Sequence, residues 1–172
     1  MKKIAGPLAA VLVLVAGPAA ARSIDDPTWE SSRWPKNTLT ANPALMIFGL
    51  YNLQYERAVS EKVSVFGGPT YWNLDILGAE LEIYMVDVGL RYFLTGQAPE
   101  GFFVSPAVGF VVGAIEGDPV MRPGWTASAM LGYTWLFGRF FDLSLGFGGT
   151  YVNLDSETHF VPSGRAAVGI AF

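Results

Sequence analysis

The sequence predicts an all-β protein, an eight-stranded antiparallel up-and-down transmembrane β-barrel spanning residues 37–172, and three observations predict it. The first is period. Runs of about ten residues in which one alternating face is apolar recur seven times, the signature of half-buried strands. In Trp125–Phe137 one face holds Trp125, Ala127, Ala129, Leu131, Tyr133, Trp135 and Phe137, and the other Thr126, Ser128, Met130, Gly132 and Thr134. Aromatics stand at both ends of the apolar face, as in a strand that crosses a bilayer between two headgroup levels. The second is the absence, after the N-terminus, of an apolar run long enough for a spanning helix, so membrane entry requires a closed barrel. The third is that short and long connections alternate along the chain, as turns and external loops do in outer-membrane barrels.

The elements follow in order. Residues 1–21 read as a signal peptide: Lys2 and Lys3 supply the positive start, Leu8–Val15 the apolar stretch, and Ala19-Ala20-Ala21 the small-residue cleavage site. Residues 22–36 are polar, hold two prolines and show no period, and are expected as a periplasmic tail. Strands are then expected at Asn37–Ile47, Leu50–Val59, Lys62–Trp72, Glu80–Leu94, Gly101–Ala114, Gly124–Phe137, Phe140–Val152 and Ser163–Phe172. At the first division, near Phe48-Gly49, one long bent strand would leave seven, whereas both termini on one side require an even count and argue for eight. Short connections fall near Ser60-Glu61, at Thr95–Glu100 and at Gly138-Arg139; long ones are expected at Asn73–Ala79, Ile115–Pro123 and Asn153–Pro162.

Composition narrows the function classes. The 172 residues include no Cys, which removes disulfides, zinc–thiolate sites and thiol nucleophiles. A formal net charge of −4 without a basic cluster argues against nucleic acid as a partner. Half of the residues, 51%, are hydrophobic, yet only 15% are charged, against about 25% in a typical soluble domain. Glycines recur inside strand patterns, at Gly67, Gly89, Gly109, Gly113, Gly132, Gly146, Gly148 and Gly169, where a crowded lumen or a strongly coiled strand would give them a place.

The non-apolar faces decide which side is out. A soluble barrel of the lipocalin kind clothes its exterior with Lys, Glu and Asp. Here those faces hold Ser64, Thr70, Ser105, Ala107, Thr126, Ser128, Thr134, Ser144 and Thr150. The charges among them, Glu56, Asp87, Arg91, Asp142 and Arg165, come in both signs. They are expected inside, as a paired network filling a narrow lumen; a charged gate or a polar ligand site is the alternative. An eight-stranded barrel is wide enough only for side chains to fill it, so a porin-sized pore is excluded. Trp72, Tyr84, Trp125, Tyr133, Trp135, Phe137 and Tyr151 are expected as interfacial belts.

Several stretches carry a family likeness. Asn42-Pro43-Ala44-Leu45-Met46-Ile47-Phe48-Gly49 with Asn52-Leu53-Gln54-Tyr55-Glu56-Arg57-Ala58 resembles the opening of a family of small bacterial outer-membrane β-barrels of uncharacterised function. Gly89-Leu90-Arg91-Tyr92-Phe93-Leu94, then Gly96 and Ala98-Pro99-Glu100-Gly101-Phe102-Phe103-Val104, resembles its middle hairpin, and Gly132-Tyr133-Thr134-Trp135-Leu136-Phe137-Gly138 its next turn. Val168-Gly169-Ile170-Ala171-Phe172 is similar to the C-terminal aromatic signal, ending here on Phe172, that the barrel assembly machinery reads. The resemblance spans about residues 37–172 and reaches more distantly to OmpW-like and OmpA-like barrels. It implies fold and an outer-membrane location, with outer-membrane lipid and lipopolysaccharide as surroundings. It brings no catalytic residues, and the peptidoglycan-binding domain of the OmpA pattern is absent.

Candidate chemistry is sparse. His159, the single histidine, falls in an expected external loop with Asp155, Glu157 and Thr158; catalysis with Ser156, Thr158 or Ser163, or metal binding, is weighed against a solvated loop histidine. Asp155-Ser156-Glu157 and Glu116-Gly117-Asp118 offer carboxylates for Ca²⁺ or for bridging to lipopolysaccharide, yet neither spacing matches an EF-hand loop. Gly67-Gly68 and Gly146–Gly149 lack the following helix that a phosphate loop needs. No metal and no cofactor are expected. The expectation for function is a non-enzymatic outer-membrane barrel with an envelope-structural role or an unidentified surface ligand. The alternatives are a narrow passage or binding site for small hydrophobic compounds, and a lipid-modifying enzyme.

Overall fold

The structure, a computed structural model, describes residues 34–76, 79–115, 122–154 and 157–172. The expected signal peptide, residues 22–33 of the tail, and the carboxylates of Glu116, Asp118 and Asp155 lie outside these residues. Eight antiparallel strands close into one barrel in chain order. They are β1 (Asn37–Ala41), β2 (Leu50–Ala58), β3 (Val63–Ile76), β4 (Ala79–Phe93), β5 (Gly101–Ile115), β6 (Arg122–Phe137), β7 (Phe141–Leu154) and β8 (Glu157–Ala171). A single helical turn, α1 (Pro43–Met46), joins β1 to β2. No helix among the described residues is long and apolar enough to cross a membrane.

Closure is made at one end, where Asn37 and Phe172 exchange two backbone hydrogen bonds of 2.9 Å each. That end, the turn end, also carries the connections 59–62, 94–100 and 138–140. The last of these turns at Gly138 and Arg139, with φ of 63° and 62°. Glycine takes this left-handed region freely, and a two-residue turn of this hand matches the twist of the flanking strands.

Two expectations are corrected at the opposite, loop end. The first strand was expected to run to Ile47, divided from the next near Phe48-Gly49; β1 instead stops at Ala41 and the division is made by Asn42-Pro43. Proline has no N–H for the ladder and its fixed φ suits the first position of a helix. The second concerns the long connections. Asn73–Ala79 and Asn153–Pro162 were expected as loops, yet pairing continues to Ile76↔Ala79 and Leu154↔Glu157. Asn and acidic residues read as loop composition, but hairpin backbones go on pairing beyond the apolar band, with polar side chains in water.

The faces are as alternation requires. Leu131 and Ile170 point outward, 40% and 41% exposed, and Val104 shares that outward parity on β5. Arg91 and Asp142 are inside, 2% and 1% exposed.

Candidate functional site: the barrel lumen

The turn-end half of the lumen is packed shut. Phe93, Phe103, Ala58 and Ala98 form a buried apolar cluster, with the two rings edge to face at 6.0 Å. Ala98 arrives from the connection between β4 and β5, its N–H donating to Glu61 O at 2.8 Å. On this plug sits Arg91, whose guanidinium carbon lies 4.4 Å from the Phe103 ring centre and 5.1 Å from that of Phe66. Such stacking suits a planar cation removed from water.

Arg91 forms an ion pair with Glu56, and Ser64 donates to the other carboxylate oxygen. A second guanidinium nitrogen donates to Gln54 Oε1 at 3.2 Å. Register explains the convergence: Glu56 faces Phe66 across β2–β3, and Ser64 faces Arg91 across β3–β4. Neighbouring inward positions on three strands therefore share one level. Removing either charge alone strands the other in a site closed to water.

Arg165 is served by hydroxyls rather than by a carboxylate. Its Nε donates to Ser144 Oγ at 3.1 Å and its Nη2 to Thr40 Oγ1 at 2.9 Å. Thr134 donates to Ser144 at 3.2 Å, which joins β1, β6, β7 and β8. Asp142, one strand from Arg165, is buried with Oδ1 unpartnered. The sequence-derived charged set thus divides: Glu56 and Arg91 touch, while Asp142 and Arg165 lie in the same closed half without touching. Asp87 stands apart in the loop-end half, hydrogen-bonded to Thr126 Oγ1 at 3.3 Å and to no cation among the described residues.

Glycines make this packing fit. A Cβ on Gly89 would run into the Phe66 ring and come within 2.6 Å of Pro106 O and 2.7 Å of Ala107 Cβ. One on Gly109 would collide with Asp87 Oδ1 and approach Thr126 Oγ1 to 2.6 Å. Gly113, by contrast, meets no atom within 4 Å and has no crowding to explain it. Ser64 was placed on the inward faces from sequence, but Gln54, Phe66, Phe93 and Phe103 were not. Their inward parity was the available signal, obscured because Phe93 and Phe103 read as apolar beside outward residues.

Outside, the aromatics stand at two levels. Toward the loop end, Tyr51, Tyr71 and Tyr84 form a ladder with ring spacings of 6.2 and 5.0 Å, and Tyr151 meets Phe160 at 5.2 Å. Trp125 is exposed there too, but Trp72 departs from the expected belt. It shares the inward parity of Ser64, Phe66 and Thr70 on β3, because a period of two puts Tyr71 outside and its neighbour inside, and its indole donates to Phe48 O at 3.1 Å at the loop end. Toward the turn end, Tyr133 and Trp135 pack at 4.6 Å and Phe137 meets Phe141 at 6.1 Å; Phe172 is exposed there too. Trp125 and Phe137 are twelve residues apart; at about 3.3 Å per residue and a tilt of about 40°, that is roughly 30 Å along the axis. Among the described residues, no outward side chain between Arg57 at the turn rim and Glu82 at the loop rim carries a charge.

His159, expected in a loop, lies in β8 opposite Val152, beyond the rim, exposed and 3.6 Å from Glu157. No hydroxyl among the described residues hydrogen-bonds to it. No group of three or more potential ligands that could hold a metal occurs among the described residues.

The chain matches no protein-family model, no curated protein and no solved structure. Function therefore rests on the geometry.

Proposed function

We propose that this is an integral outer-membrane β-barrel protein, exported through its N-terminal segment, with a non-enzymatic role in the envelope or at its surface. The observation that carries this reading is the uncharged outward band, edged by aromatic rings roughly 30 Å apart, close to the thickness of a bilayer's hydrocarbon core. In water such a surface would be an apolar patch far beyond what monomeric proteins expose. Its surroundings are then outer-membrane lipid and lipopolysaccharide, and the barrel assembly machinery its insertion partner. The exposed end of the β7–β8 hairpin, with Glu157 and His159, is the surface offered to a ligand.

A second reading, binding of a small hydrophobic compound, draws support from the lumen's loop-end half, where Asp87, Ser128, Thr150 and Ser163 face inward and are only half-buried. Passage right through is disfavoured by the Phe93–Phe103 plug. A lipid-modifying enzyme draws no support among the described residues, where neither Thr158 nor Ser163 is hydrogen-bonded to His159; Ser156 lies outside them.

Cell fractionation with gel mobility in cold and boiled detergent tests the reading. Outer-membrane recovery, a compact band that shifts on boiling, and cleavage by external protease support it. Recovery in a soluble fraction, folded without detergent, refutes it.

A further inference from the structure

Half of the barrel wall between β8 and β2 has no strand in it. β1 is five residues long and meets β8 only from Thr38↔Ala171 to Ala41↔Val168, whereas β8 continues to Glu157. Glu157–Ala167 therefore has no strand on its β1 side, and α1 lies across the break, beside both β2 and β8. The bonded pairs Asn37↔Phe172, Leu39↔Ile170 and Ala41↔Val168 recur at every second position. The next would join residue 43 to Ala166, and residue 43 is Pro, with no N–H to give.

β8 carries a matching feature. The Phe172 N–H donates toward β1 and the Ala171 N–H toward β7, so even-numbered N–H groups of β8 face the break. Pro162 is at an even position, and its missing donor is one that would otherwise face the unpartnered side. Pro43 thus ends the ladder on the β1 side, and Pro162, four residues beyond Ala166 along the break, withholds a donor on the β8 side. Beside it lie two buried oxygens without a hydrogen-bond partner, Asn42 Oδ1, at the end of β1, and Ser163 Oγ, on the inward face of β8. On the facing wall, β4 presents Asp87, in space left by Gly109.

We propose that this break is a lateral port from the bilayer into the loop-end lumen, and that its occupant is a single-chain amphiphile with a protonated amine head. Asn42 Oδ1 is an acceptor, the Ser163 hydroxyl can accept, and Asp87 is a carboxylate whose partner is the Thr126 hydroxyl, with no cation among the described residues, so together they call for N–H donors and positive charge. Anionic heads would meet Asp87 unfavourably, and a hydroxyl head would leave its charge unpaired. The hydrocarbon tail stays outside, against the exposed Met46, Ile47, Phe48 and Phe160. The Phe93–Phe103 plug makes the site a dead end. The proposal rests on the membrane reading above.

The test uses the protein folded into neutral phosphatidylcholine vesicles, with dodecylamine carrying a photoactivatable diazirine in its tail and the matching dodecanol as control. Mapped crosslinks are expected at Asn42–Phe48 and Phe160–Ala166 with the amine and not the alcohol. Asp87→Asn lowers them on the order of tenfold by removing the charge partner. Pro43→Val, which supplies the N–H opposite Ala166 and lets β1 pair further, also lowers them. Labelling spread evenly around the belt, labelling equal with the alcohol, or labelling undiminished in either variant overturns the port. Heat-shifted mobility reports insertion of each variant separately. Failure of the wild-type chain to insert overturns the membrane reading as well as the port, whereas insertion with unselective labelling overturns the port alone.

Discussion

Charge placed on the outward face at different depths gives the sharpest prediction. Leu131 is midway between Trp125 and Phe137 on β6, six residues from each, and points outward beside Phe147 of β7. Phe137 is at the turn rim, where the strand ends. If the belt touches hydrocarbon, an Arg at the midplane costs about 2–4 kcal/mol of folding free energy, while one at the interface costs about 0–1 kcal/mol. Leu131→Arg should therefore destabilise by about 2 kcal/mol more than Phe137→Arg, a ratio of about thirtyfold in the folding equilibrium. Reversible denaturant unfolding in lipid vesicles, followed by tryptophan fluorescence, measures the difference. In water both are surface changes worth within about ±0.5 kcal/mol apart from lost local packing. Equal effects, or a larger one for Phe137→Arg, would refute the reasoning.

Other outcomes follow from the lumen. Arg91→Leu, which leaves Glu56 buried and unpaired, should destabilise by about 3–5 kcal/mol, whereas the double change Glu56→Leu with Arg91→Leu should recover much of the loss; the same unfolding assay reads both. Gly89→Ala must displace Phe66 or the β5 backbone at Pro106 and should cost about 1–3 kcal/mol. Asp87→Asn keeps shape, retains Thr126 as a partner and removes an unpaired charge, so its stability should stay within about 1 kcal/mol of wild type or rise; a loss as large as that of Arg91→Leu would contradict the separation of Asp87 from the packed half.

What was legible in the chain was periodic. Alternation gave seven of the runs and the inward parity of Glu56, Arg91 and Asp142, because a period of two leaves no freedom once one face is apolar; the eighth strand came from the parity of the termini. Asn42-Pro43 was legible in principle as a helix start, but lay inside a run whose composition also suits a strand. The extents of β3 and β8 were not legible, since beyond the apolar band nothing in a side-chain pattern distinguishes a paired hairpin from a loop. Nor was the pairing within the charged set. Parity places Asp87 and Glu56 on the same side of the wall, while which of them meets Arg91 depends on register between β2, β3 and β4. The break beside β8 needed the pairing itself, although its two prolines stand in the sequence.

Lipid exposure of the outer face is open to one direct measurement. The chain has no cysteine, so single cysteines at Leu90, Val108, Leu131 and Leu145 can carry spin labels in the vesicle-inserted protein. Labels at these positions should be relaxed by dissolved oxygen and shielded from a water-soluble nickel complex. Ready access of the nickel complex to all four would show that the aromatic-edged face meets water.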